Sequence, residues 1–362
     1  MGFSLEKAVD LLKRSLSLNS PHHVQWMLTR RCNYRCRGCT VWQEEHDTEP
    51  EITTEEVKAG LDILRELGVI EVVFSGGNPL LRDDIGEIVS YASKYFVTTV
   101  YDNGSMALEK IDELRDADFV AISIDSLNPE KNDYIKGVHG AFKTAMEAIE
   151  RLTEEGIFVV VSTTISQMNL DEIVNLTNYF TERGVPVLYC LYSYDTPSES
   201  HLFGIGKKNS EFEFKDRKAT AKLFEELLHL KRKKPGVFIT ERTLVALIEF
   251  FLNNRRIWKC KALQNFFMID HHGRVAGCHL KRPVASIFEL PELWKSEKFE
   301  RLREKYSKCR DCTYLCYIFY SLHSNFSGTT EILLDNLNNI KFVLSKIYNR
   351  RLANQSFVSA GR

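Results

Sequence analysis

The stretch VQWMLTRRCNYRCRGC, residues 24–39, runs from an apolar segment with the composition of a β-strand into a loop holding Cys32, Cys36 and Cys39. Strand composition followed at once by three thiols poses two questions: which sheet the strand belongs to, and what the thiols bind. The following residues answer the first. IEVVFS (70–75), VTTVY (97–101), FVAISI (119–124), IFVVVS (157–162) and PVLYCLY (186–192) are also β-rich runs, and amphipathic helical segments separate them. Thr53 and Glu56 form a capping box ahead of the stripe Val57, Leu61, Leu64 and Leu67, and Gly68 supplies a left-handed stop. Similar stripes run through Ile85, Ile88, Val89 and Ala92, through Phe142, Met146, Ile149 and Leu152 before Gly156, and through Ile173, Leu176 and Phe180 before Gly184. Six strands alternating with helices predict an α/β fold, a curved or partly closed (β/α)6 barrel with parallel strands. Ligands of such sheets sit at the carboxyl edge, where the three-cysteine loop falls.

The 362 residues have a net charge of −1, 44% hydrophobic and 27% charged residues, a balance that favours neither disorder nor nucleic-acid binding. The basic run Lys231–Lys234 reads as a solvated helix end. The first sixteen residues alternate charged and apolar positions at helical spacing, unlike a signal peptide. The apolar stretch Leu244–Leu252 is too short to span a bilayer. The expectation is a cytoplasmic protein without a membrane span.

Nine cysteines in a reducing compartment argue for metal rather than disulfides. Three lie at 32–39, five at 260–316, and Cys190, in VLYCLY, reads as a small core residue. Zinc favours four tetrahedral ligands, whereas three thiolates on a four-iron cluster leave one iron open. The second set, C-x12-G-x4-C then C-x2-C-x3-C, uses Cys260, Gly273, Cys278, Cys309, Cys312 and Cys316. FFMIDHHGRVAGC reads as a hairpin turning at His271, His272 and Gly273, and its thiols suit zinc or an iron–sulfur cluster. His279 reads as a surface histidine, with a hydrogen bond to cluster sulfide as the alternative.

The C-x3-C-x2-C spacing after a first strand resembles the radical S-adenosylmethionine (SAM) superfamily over residues 24–192. The resemblance implies that Cys32, Cys36 and Cys39 hold a [4Fe–4S] cluster whose fourth iron binds SAM. Reductive cleavage then yields a 5′-deoxyadenosyl radical that abstracts a substrate hydrogen. SGGNP (75–79) resembles the family's GGEP motif, with Asn78 in place of glutamate; Asp102, Asn103 and Gly104 resemble its TNG corner, and Ser123–Asp125 its S-L/I-D edge. The implied SAM contacts are Tyr34, Gly38, Ser75, Gly76, Gly77, Asn78, Asn103, Ser123, Asp125 and Thr163. Gly38 occupies a position where an aromatic is frequent, so its backbone is left to serve the adenine. No catalytic side chain beyond the cluster and SAM is assigned.

The second cysteine set resembles SPASM and twitch extensions, which implies one auxiliary [4Fe–4S] cluster. Cys260, Cys278, Cys309 and Cys312 give full ligation, with Cys316 spare or alternative. The expected organisation is an N-terminal helix (1–20), a radical SAM barrel (21–195), connecting loop and helices (196–255), the auxiliary cluster domain (256–320) and a C-terminal helix and tail (321–362). The resemblance implies oxidative modification of a peptide or protein. Radical chemistry on a sugar, tetrapyrrole or cofactor precursor is the alternative, and a non-catalytic iron–sulfur carrier is the reading from another class. By analogy the reductant is ferredoxin or flavodoxin.

Overall fold

In the computed structural model the described residues are 7, 10, 11, 13, 14, 20–42, 49–193, 208–323, 339 and 342. Part of the expected connecting segment (196–255), most of the C-terminal helix and tail (321–362) and most of the N-terminal helix (1–20) lie outside them.

The six expected strands are present as β1 (His23–Thr29), β2 (Glu71–Gly76), β3 (Val97–Asp102), β4 (Phe119–Ser123), β5 (Val159–Ile165) and β6 (Val187–Leu191). They pair in parallel in that order. Helices α1 (Thr54–Glu66), α2 (Ile85–Ala92), α3 (Pro129–Lys136), α4 (Ala141–Glu154) and α5 (Ile173–Glu182) cross between strands, with a one-turn helix at Ile111–Leu114. The Thr53–Glu56 capping box forms, and Gly68 takes φ 87° behind α1. Strand alternation explains the layers. Val24, Trp26 and Leu28 of β1, Val72 and Phe74 of β2, and Val120 and Ile122 of β4 join the helices in the main core. Their neighbours Gln25, Ser75, Ala121 and Ser123 face the concave interior.

The sheet extends beyond the six units. β7 (Val237–Phe238), preceded by α6 (Arg217–Lys233) and followed by α7 (Glu241–Asn253), pairs parallel to β6. At the other edge the expected hairpin, β8 (Phe266–Ile269) and β9 (Arg274–Ala276), is fused to the barrel because β8 pairs parallel to β1. A short β10 (Ala285–Ser286) closes a ten-stranded sheet. α8 (Glu297–Lys308) then leads into the last cysteines, and α9 (Leu315–Leu322) packs along β6. On the concave side α9 stacks Tyr320 on His23 of β1 at 4.2 Å and Tyr317 on Phe266 of β8 at 4.6 Å. Tyr320 also donates to the Glu71 carboxylate of β2, which His23 meets at 2.8 Å. Burial opposes ionisation of Glu71, but the bonds from His23 and Tyr320 outweigh it and hold its pKa below the usual value.

Two expectations about side chains are corrected here. Cys190 is not in the core: it is half-buried, because Val187, Tyr189 and Leu191 take the helix-facing positions of β6. His279 is not on the surface. It is 1% exposed, and its Nε2 lies 3.0 Å from Gln25 Oε1.

Thr53→Ala removes the bond that caps α1, an effect of about 1 kcal/mol. Chemical denaturation is expected to show a lower midpoint with unchanged slope.

Candidate functional site

The cysteine loop is held on two sides. On one side β2 ends beside it: the Gly77 N–H donates to Thr29 O and the Asn78 N–H to Arg31 O, each at 2.8 Å. A Cβ on Gly76 would stand 2.2 Å from Thr29 O, and one on Gly77 would stand 2.1 Å from Arg31 O. Glycine is therefore required at both positions for the backbones to meet. On the other side the Arg37 N–H donates to Ile135 O at 3.0 Å, and Gly137, at φ 67°, packs so closely that a Cβ would lie 2.2 Å from Arg35 O. Asn33 adds a polar tie, accepting from Asn103 Nδ2 at 2.9 Å and donating to Ser105 Oγ at 2.7 Å.

The three thiols are close enough to repel one another as thiolates. Burial pushes Cys36 up to about 12, against the attraction of Lys136, and Cys39 up to about 11, against the Val41 N–H. Iron that displaces these protons relieves both the repulsion and the cost of burying thiolate charge, so the set fits a metal cluster. Among the described residues no three His, Cys, Asp or Glu side chains converge tightly enough for a single metal ion. A four-iron cluster spreads its thiolates further apart than one ion does.

Around the loop the expected contact residues separate into groups. Ser75, Ser123 and Asp125 stand at carboxyl ends of the strands, with Ser123 in register with Ser162. Asp125 is fixed by the Thr164 N–H at 2.7 Å and by Lys136 Nζ at 2.7 Å, and both members of that ion pair are about 7% exposed. Tyr34 is buried, and burial first, then the Asp102 charge, lifts its phenol to about 12. Asn78 is 1% exposed and committed to structure: its Oδ1 accepts the Leu80 N–H at 3.0 Å and its Nδ2 donates to Asp102 at 2.7 Å. Its side chain braces the turn that follows β2. Thr163 is fully buried in register with Tyr189 on the helix side of β5, so its side chain does not reach the mouth; Ser162 and Thr164 alternate to the inner face.

Several residues at the site escaped sequence reading. Lys136, the last residue of α3, supplies the buried cation beside Cys36 and Asp125; a charged residue just before a helix-ending glycine was its only signal. Tyr192 and Phe212 pack 3.1 and 3.6 Å from where a Gly38 Cβ would stand, so aromatic surface reaches this position from the end of β6 and the following segment. Asp102, read in the sequence as part of the TNG-like corner, is pushed up to about 6 by burial and anchors the 103–107 turn through the Gly104 and Ala107 N–H groups.

The second set resolves into four plus one. Cys260, Cys278, Cys309 and Cys312 line one pocket together with Arg256, Trp258, Lys281 and Tyr306. Burial lifts Cys260 to about 12 and Cys312 to about 11, and each feels the charge of its neighbours in the set. Cys316 does not line that pocket. It sits on α9, where burial first and Cys190 next raise its pKa. Four thiols suit a fully ligated cluster. The pocket also communicates with the barrel: His279, next to Cys278, meets Gln25, whose Nε2 donates to Ser75 Oγ at 2.8 Å.

A partial barrel with a three-thiol loop at its carboxyl edge and a four-thiol pocket behind it defines an enzyme of radical SAM architecture. Residues 26–180 match the radical SAM superfamily and residues 260–313 match SPASM, an iron–sulfur cluster-binding domain, and the chain belongs to that superfamily with that second domain. It is 27% identical to an AdoMet-dependent heme synthase of Oleidesulfovibrio alaskensis, over 84% of this chain and 83% of the relative. It is also 27% identical to the subtilosin biosynthesis protein AlbA of Bacillus subtilis, over 72% of this chain and 55% of that protein. Streptococcus suis SuiB bound to S-adenosylmethionine shares the fold, with TM-score 0.61 and 16% identity over 89% of this chain and 78% of that one. The protein is thus a radical SAM enzyme that uses SAM, a SAM-binding [4Fe–4S] cluster and auxiliary iron–sulfur chemistry.

Two substitutions test the geometry. Cys316→Ala is expected to retain the iron content of the wild type, whereas Cys312→Ala loses iron on anaerobic reconstitution. Lys136→Met strands Asp125 as a buried unpaired carboxylate at a cost of about 3–5 kcal/mol. Thermal unfolding should show the loss, and Asp125→Asn in the same chain should recover much of it.

Proposed function

We propose that Cys32, Cys36 and Cys39 hold the SAM-binding cluster, that Cys260, Cys278, Cys309 and Cys312 hold the auxiliary one, and that the enzyme oxidises a tetrapyrrole side chain. When bound, the first cluster supplies the electron that cleaves SAM to the 5′-deoxyadenosyl radical. The chain's own part is to bind, orient and exclude. The Gly76–Gly77 backbone, free of Cβ atoms, packs directly on Thr29 and Arg31 and so fixes the loop against the end of β2. Lys136 keeps positive charge beside the thiols while Asp125 holds it in place. Tyr192 and Phe212 cover the Gly38 side and keep water from the loop. The interior facing the substrate presents Gln25, Ser75, Tyr101, Ser162 and Cys190, with Cys316 brought in by α9.

The observation that carries the substrate class is the span of the likeness. The heme synthase relative aligns over 84% of this chain and 83% of its own length, whereas the chain spans about half of AlbA. A peptide substrate is the second reading, and the likeness to AlbA favours it. A cytoplasmic location and a ferredoxin or flavodoxin reductant are part of the same proposal, since the thiols need a reducing compartment. No described helix is long and apolar enough to cross a membrane. The division of the chain at residues 20, 195, 255 and 320 is also kept as a proposal; the parallel pairing of β8 with β1 makes the auxiliary unit continuous with the barrel sheet.

The test is anaerobic reconstitution followed by dithionite and SAM. The wild type is expected to form 5′-deoxyadenosine, and Cys32→Ala, Cys36→Ala and Cys39→Ala each to abolish it. Cys260→Ala and Cys278→Ala should retain cleavage while losing product. An iron tetrapyrrole with propionate side chains, such as iron coproporphyrin III, is expected to change mass in step with 5′-deoxyadenosine. An unchanged tetrapyrrole beside a modified peptide would select the second reading, and a fully loaded protein without SAM cleavage would select a carrier.

A further inference from the structure

The auxiliary end of the chain is electrically unlike the rest. Residues 255–311 contain fourteen Lys and Arg against seven Asp and Glu, while the whole chain carries a net charge of −1, so the remaining residues hold an excess of eight acids. Each segment that brings a thiol to the auxiliary pocket also brings exposed cations: Arg255 and Lys259 before Cys260, Arg282 after Cys278, and Lys298, Arg301 and Lys305 on α8, whose end delivers Cys309. On α8 the last three line a shallow groove with Val284 and Leu302, and a single acid, Glu297, shares it. Glu297 pairs with Arg301 at 3.0 Å, but both side chains are more than 80% exposed, so the pair is loose and leaves the groove's field positive.

Cys309, the residue that ends α8, follows Lys305 of the groove by one helical turn, so the groove runs toward the thiols. Cys309 is half-buried, and the pocket wall includes Arg256 and Lys281, with Arg256 Nη2 donating to Cys312 O at 2.9 Å and to Arg310 O at 3.0 Å. A molecule that must undergo bond chemistry has to reach the barrel mouth, where Cys32, Cys36 and Cys39 stand. A one-electron carrier needs only to come near a cluster edge, and a basic field steers an acidic carrier to it.

We propose that this basic face docks a small acidic one-electron carrier of the flavodoxin or ferredoxin kind against the auxiliary pocket. The proposal rests on the reading of Cys260, Cys278, Cys309 and Cys312 as iron–sulfur ligands. One electron passes between carrier and cluster, one partner being oxidised as the other is reduced, and no atom or proton moves. The apolar pair Val284 and Leu302 gives the groove a dry centre within a charged rim, as in other protein interfaces.

The experiment compares the reconstituted wild type with Lys298→Glu/Arg301→Glu/Lys305→Glu and with a control, Lys143→Glu/Lys222→Glu, on outer helices of the barrel. Flavodoxin binding is measured by calorimetry at low and high salt, beside iron content and dithionite-driven 5′-deoxyadenosine formation. The wild type and the control are expected to bind, with Kd rising roughly ten-fold or more between about 50 and about 300 mM NaCl. The groove variant should lose roughly ten-fold or more in affinity at low salt while keeping its iron and its dithionite-driven cleavage. Binding by the groove variant equal to wild type, or insensitive to salt, overturns the proposal. So does equal affinity of the wild type for phosphatidylglycerol vesicles with loss of both ligands in the variant, which would make the face a general polyanion surface. A wild type with no iron at the auxiliary thiols removes the cluster reading and the proposal together, and iron content separates that failure from failure of docking.

Discussion

Two backbone hydrogen bonds, from Gly77 to Thr29 and from Asn78 to Arg31, join the end of β2 to the start of the cysteine loop. The contact is so close that a single methyl group on either glycine, Gly76 or Gly77, would fall within 2.3 Å of a carbonyl oxygen. This constraint converts a flexible three-thiol loop into a fixed rim and sets the carboxyl edge of the barrel as the place where chemistry happens. The opposite brace, through Ile135 O and Gly137, brings Lys136 beside the thiols by the same step. The electrostatics of the site follow from the backbone geometry, because a cation this deeply buried is tolerated only with Asp125 2.7 Å away.

The auxiliary unit is joined to the same frame rather than appended to it. β8 continues the barrel sheet beside β1, and α9 returns across the concave side to place Tyr320 on His23 and Glu71. Between the two thiol sets runs a line of polar contacts from buried His279 through half-buried Gln25 to Ser75. These contacts tie the segment carrying Cys278 to the inner face of β1 and β2. Cys316, displaced from the auxiliary pocket toward Cys190, shows that α9 belongs as much to the barrel interior as to the cysteine-rich end.

Much of this was legible in the residues. Strand and helix periodicity predicted six parallel units, and the capping box at Thr53 and the stops at Gly68, Gly156 and Gly184 fell where expected. What was missed depends on neighbours distant in sequence. No local pattern marks β8 as the partner of β1, because that pairing joins residues more than 240 positions apart. Asn78 reads as a ligand contact in a motif, yet its amide is consumed by Leu80 and Asp102 once the turn closes. Cys190 was misread because burial along β6 alternates and a single residue away the answer reverses; His279 was misread because the whole run Val275–Leu280 is buried, which a polar side chain after a hairpin does not signal. Lys136, Tyr192 and Phe212 carry no motif at all and become part of the site only through crossover geometry.

The central claim is that the loop at Cys32, Cys36 and Cys39 holds an iron–sulfur cluster with one iron left for SAM. Electron paramagnetic resonance of the oxygen-free, dithionite-reduced protein, recorded with and without SAM, tests it most directly. The account predicts a cluster signal that changes on SAM addition and disappears in Cys36→Ala, beside a second signal that SAM leaves unmoved. A spectrum indifferent to SAM in protein with a full complement of iron would contradict it.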